Sequence, residues 1–92
     1  MKNSIYRFID DTLQDMKNTY VFSVSSMHAE TSAFKKEWCL KEIENYYEQM
    51  YGAVLFCKCY EHTITDIEYD ALLDRIYDAR CEEMHRVLKE YN

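Results

Sequence analysis

Four cysteines and three histidines are the residues of this chain that could hold a metal or act as nucleophile and base. Cys57-Lys58-Cys59 with His62, and Cys81 with His85, look like fragments of a zinc site. Helical geometry opposes the first. Residues two apart on a helix diverge by about 200°, so Cys57 and Cys59 would point opposite ways. In an antiparallel hairpin Cys57 lies level with Tyr69, roughly 18 Å along the axis from Cys81. Zinc ligands must meet within about 2.3 Å of one ion. Cys81 and His85, one helical turn apart, could supply half a site, with Cys39 or His28 completing it. The alternative is that the free cysteines are small hydrophobes. Were residues 57–59 extended, the case against zinc would weaken. No base is placed beside a cysteine or serine by any recognisable motif. A single glycine, Gly52, rules out a glycine-rich phosphate loop. The chain therefore reads as non-enzymatic, with no cofactor or metal expected.

Acidic residues supply the stronger pattern. Asp66, Asp70, Asp74, Asp78 and Glu82 recur every four residues. On a helix such neighbours lie about 6 Å apart, and each like-charged pair is destabilising by about 0.2–0.5 kcal/mol. Asp70 and Asp74 have no lysine or arginine three or four residues away, whereas Asp78 has Arg75 and Glu82 has Arg86. The row drifts about 40° per step, from beside the core face at Asp70 to the solvent side by Glu82. Unpaired carboxylates at this spacing roughly imitate a nucleic-acid backbone and could fill a basic cleft by charge complementarity. Tyr69 and Tyr77 flank the row, and tyrosine is enriched in interfaces. An ordinary solvated helix face would show the same carboxylates, and Lys35, Lys36 or Lys41 could answer some of them.

Arg80 falls near the middle of the apolar face of the same helix. A buried guanidinium requires a partner. The hairpin register offers Glu44, Glu48 or the Tyr46 hydroxyl, so a structural salt bridge is expected.

The elements that must position these groups are helices. The chain has 92 residues, no proline and one glycine, so the special turns of an all-β fold are out of reach. The first helix spans about residues 4–19. Ser4 can cap it, and Ile5, Ile9, Leu13, Met16 and Tyr20 share one face. Residues 20–31 read as a connector, because Val21, Phe22 and Val24 favour extended backbone and serines compete for local hydrogen bonds. A short strand or a frayed extension of the first helix are the alternatives there. The second helix spans about 32–60, with Cys39, Ile43, Tyr46, Tyr47, Met50, Val54 and Cys57 on one face. A rival reading ends it at Gly52 and makes residues 54–60 a strand. The third helix, about 66–90, opens on Thr65-Asp66-Ile67-Glu68, which fits a capping box. Its apolar face holds Leu72, Leu73, Ile76, Tyr77, Met84, Val87, Leu88 and Tyr91. The short loop between the last two helices makes them antiparallel. Phe34, Trp38, Phe56 and Cys59 give the second helix another apolar side, which the first helix would cover. The expected fold is all-α: one domain, a long helical hairpin with a packed N-terminal helix in a three-helix arrangement.

Charge narrows the partners. The net charge is -6. Residues 61–92 carry nine acids and four bases, so most of that excess lies in the last third of the chain. Direct binding to nucleic acid or to an anionic membrane is disfavoured, and a basic protein partner is favoured. No apolar leader follows Met1-Lys2 and no long apolar run exists, so a cytoplasmic protein with reduced thiols is expected.

The stretch His62-Thr63-Ile64-Thr65-Asp66-Ile67-Glu68-Tyr69-Asp70 resembles the turn and helix start of short hairpin modules of the SHOCT type. It is also similar to small helical-hairpin proteins of phages and mobile elements. Those hairpins usually carry glycine before the isoleucine, where this chain has Thr63. The resemblance covers about residues 62–73 and implies a hairpin. Together with the acidic row it suggests a small inhibitor, anti-CRISPR-like or anti-restriction-like, that blocks a nucleic-acid-binding enzyme. A structural or homo-oligomeric module using Trp38, Phe56 and Tyr51 is the alternative. A small regulator or metal-binding protein is a further one.

Overall fold

The structure is a computed structural model that describes residues 2–91. Three helices of equal length form the fold: α1 (Lys2–Ser26), α2 (Ser32–Phe56) and α3 (Asp66–Glu90). They run up, down and up in a rod 46 Å long and 15–19 Å across. No helix among the described residues is long and apolar enough to cross a membrane.

The first helix is longer than its sequence pattern indicates. Residues 20–26 continue α1 rather than forming a connector, and Ser4 lies inside the helix rather than capping it. The serines fit because their hydroxyls turn back on the helix. Ser23 Oγ donates to the Tyr20 carbonyl at 2.7 Å and Ser25 Oγ to the Val21 carbonyl at 2.8 Å. Ser23 also shares a 2.7 Å hydrogen bond with the hydroxyl of Tyr91, the residue that follows α3, so tertiary contact outweighs local propensity. After the turn at residues 27–31, the Thr31 hydroxyl caps α2 by accepting the Phe34 N–H.

Gly52 does not break α2, and residues 54–60 are helical rather than a strand. A methyl group added there would meet nothing within 4 Å. Gly52→Ala is therefore expected to stabilise the fold by about 0.5–1 kcal/mol in urea unfolding, through lost freedom of the unfolded chain. Beyond Phe56 the helix widens into one π-helical turn, Cys57–Glu61. It ends on His62, whose left-handed backbone (φ 55°) lets the Thr63 N–H reach the Cys57 carbonyl at 3.0 Å. The left-handed residue that glycine would normally supply is thus His62, and Thr63 follows it.

The capping box forms as its sequence implies. Thr65 Oγ1 accepts the Glu68 N–H at 3.1 Å, and the Glu68 carboxylate accepts the Thr65 N–H at 2.9 Å. In the antiparallel hairpin Lys58 meets Asp66 and Arg80 meets Glu44, close to the register set by the short loop.

The core takes Ile5, Ile9 and Met16 from α1. Cys39, Ile43, Met50 and Val54 come from α2, and Leu72, Ile76 and Val87 from α3. Cys57 and Ile64 close its lower end. Two expectations for α3 fail. Tyr77 and Leu88 are exposed, while Glu83 is buried. The second apolar side of α2 is covered only in part: Trp38 is half-buried against Phe22, but Phe34 and Phe56 remain exposed.

Candidate partner-binding surface

The acidic row lies where solvent can reach all of it. Asp66, Asp70, Asp74, Asp78 and Glu82 are each exposed, so Asp70 stands clear of the core face from the outset. Asp66 sits on the α2 flank and is held by Lys58 Nζ at 2.9 Å, which also stands over the Tyr69 ring at 4.8 Å. The remaining four carboxylates make no ion pair among the described residues.

The cations nearest in sequence are committed elsewhere. Arg75 reaches across to Asp10 of α1 instead of Asp78. Arg86 turns to Glu83, with Nη1 3.3 Å from Oε1, and covers the Tyr20 ring. Arg80 is fixed by Glu44 at 2.7 Å and lies over Tyr47 at 5.2 Å. Glu44 is thus the partner of Arg80 among the three candidates. Because both groups are partly exposed, the pair contributes modestly. Arg80→Ala is expected to lower stability by about 1 kcal/mol, and an unchanged melting temperature would contradict that.

The two flanking tyrosines differ. Tyr69 is half-buried beside Tyr51, and burial is the main reason its phenol is pushed above the usual range. Tyr77 is 52% exposed, and a hydrogen bond with Cys81 is the main cause of its upward shift. Only Tyr77 therefore offers a broad aromatic surface to a partner next to Asp74 and Asp78.

The cysteines do not assemble into the sequence-suggested sites. Cys57 is buried and Cys59 is exposed, as opposite sides of one helix require. Cys39 is buried in the core, whereas Cys81 lies on the surface. Among the described residues no three histidine, cysteine or acidic side chains converge on a point that could hold a metal ion.

Comparison with protein families, with characterised proteins and with solved structures returned no match.

Periodicity alone did not flag two features. The first is Glu83, which is 1% exposed and whose two carboxylate oxygens lack any hydrogen bond. Burial pushes its carboxyl above the ordinary glutamate range and Glu82 adds to the shift, while Arg86 and Lys17 oppose it. The spacing Leu72, Ile76, Glu83, Val87 contained this signal, since position 83 falls seven residues after a core isoleucine. The second is a cleft between α1 and α2 lined by Asp15, Phe22, Trp38, Glu42 and Tyr46. It exists because α1 continues through Phe22, which places that ring one turn beyond Asn18.

Proposed function

We propose that this chain is a non-enzymatic binding protein whose acidic α3 face occupies a basic, nucleic-acid-binding surface of another protein. The class of action is that of small anti-CRISPR-like or anti-restriction-like inhibitors. The observation that carries the reading is the set of four exposed carboxylates, Asp70, Asp74, Asp78 and Glu82, with every nearby cation drawn to another partner. A face meant only for solvation could pair Arg75 with Asp78 and Arg86 with Glu82 at no cost to solubility. Leaving the row unpaired maintains a strip of negative potential along a rigid helix. That strip matches the charge and the linear form of a phosphate backbone.

The test is capture from the natural host's lysate by tagged wild type and by Asp70→Lys/Asp74→Lys/Asp78→Lys. A basic nucleic-acid-handling protein retained by wild type and lost by the variant supports the reading. Identical partners for both would defeat it. A second reading, an aromatic interaction module, is favoured by Phe56, which is 52% exposed and stacked on exposed Tyr60 at 5.4 Å. Binding through those rings would be nearly indifferent to salt, whereas binding through α3 would weaken as salt rises.

A further inference from the structure

We propose that the cleft between α1 and α2 is a receptor for a guanidinium group and takes an arginine side chain presented by a protein partner. The cleft holds about 260 Å³ and is formed by α1 and α2 alone. It therefore stands apart from the acidic face of α3 and goes beyond the function proposed for that face.

Three aromatic rings and two carboxylates define its chemistry. Phe22 and Trp38 lie 5.6 Å apart with their planes tilted by 39°, and Phe22 is exposed while Trp38 is half-buried. Tyr46 completes the aromatic set. Its phenol is pushed up by burial first and then by the charges of Asp15 and Glu42, the two carboxylates that line the same cleft. Neither Asp15 nor Glu42 makes an ion pair among the described residues.

Charge and shape select the occupant. An anion would be repelled by both carboxylates. A neutral apolar group would strip water from them without compensation. A second copy docked through this face about a two-fold axis would set Asp15 and Glu42 near their own equivalents. A cation is attracted by the carboxylates and by the ring faces together. Among cations, the planar guanidinium can stack on a ring while its fork donates to carboxylates, which a compact ammonium cannot do. The volume is just below the roughly 300–1,000 Å³ of small-molecule sites and suits one inserted side chain.

Trp38 is the only tryptophan, so its fluorescence reports on the cleft directly. The full chain would be titrated with the N-acetyl amide of arginine, with the matching citrulline amide and with choline. A saturable change is expected with arginine, with Kd on the order of 1 mM, and none with citrulline. Asp15→Asn/Glu42→Gln, checked for unchanged helicity, should weaken arginine binding by at least about tenfold. Asp70→Asn/Asp74→Asn/Asp78→Asn should leave it as in wild type, so failure of the cleft and failure of the acidic face are read separately. The proposal is overturned if arginine gives no saturable change, if citrulline binds equally, if choline binds more tightly, or if the carboxamide variant binds as wild type does.

Discussion

Glu83→Met is expected to raise the thermal midpoint at pH 7 by roughly 5–15 °C, corresponding to about 1–2 kcal/mol. Among the described residues Glu83 is the one acidic side chain inside the apolar core, and neither of its oxygens finds a hydrogen bond. Its nearest counter-charge is Arg86, which is itself part-exposed at the surface. Lys17 of α1 acts in the same direction more weakly, and Glu82 acts against it. Methionine has a similar length and flexibility and no charge to desolvate. The pH dependence fixes the cause. Folding raises the pKa of this carboxyl, so the folded state prefers its protonated form. The stability linked to Glu83 is fully present below the ordinary glutamate value of about 4.3. It is lost as pH rises through the higher folded value. The advantage of Glu83→Met over wild type should therefore grow between about pH 4 and pH 7. A difference that stays flat across that range, or a wild type more stable at pH 7, would refute the assignment. Arg86→Met supplies the complement. It should destabilise wild type by about 1–3 kcal/mol and have much less effect in the Glu83→Met background.

Reversing Asp70, Asp74 and Asp78 to lysine should weaken association with a basic partner by about a hundredfold or more at low salt. Most of that loss should disappear at high ionic strength. The fold should tolerate the change. All three positions are exposed and unpaired, and lysines there face Asp66 and Glu82 one turn away in either direction. Stability should therefore stay within about 1 kcal/mol of wild type by chemical denaturation. The reversal brings the net charge from -6 to zero. The triple asparagine variant, at -3, separates loss of the acidic face from a general loss of repulsion. If wild type and asparagine variant bind with the same affinity and the same salt slope, the row is a solvated surface.

Much of the fold was legible because it rests on patterns that packing reinforces. The capping box at Thr65 and Glu68 is closed by four adjacent residues, so local chemistry was enough to place the start of α3. The faces Ile5–Ile9–Met16 and Cys39–Ile43–Met50–Val54 repeat at helical spacing and are buried as units. What propensity could not reveal was residues 20–26. There β-branched and serine residues argue against helix, and the deciding contact lies 68 residues away at Tyr91. The acidic row was readable as a row, but its pairing was not. Whether Arg75 turns to Asp78 or to Asp10 depends on how α1 lies beside α3, which no local spacing encodes. Glu83 is hidden in the sequence for a different reason. Hydrophobic periodicity looks for apolar residues at core positions, so a carboxylate in the right phase is easily taken for solvent-facing. The aromatic cleft required knowing that α1 continues far enough to bring Phe22 beside Trp38.

The core side of α1 carries three hydroxyls, Thr12, Thr19 and Ser23, where the facing helices carry mostly hydrocarbon. Thr19 and Ser23 satisfy themselves largely within their own helix, through the Asp15 and Tyr20 carbonyls, and that satisfaction survives if α1 lifts away. The α2–α3 hairpin, by contrast, is joined by a short connection and shares an apolar seam. Native-state hydrogen exchange should accordingly resolve two tiers of protection, with α1 amides opening at a lower free energy than those around Ile43, Met50 and Ile76. Glu83 would gain water in the opened form. Alkaline shifts within the stable range should then lower the free energy of α1 opening, and Glu83→Met should merge the two tiers towards one.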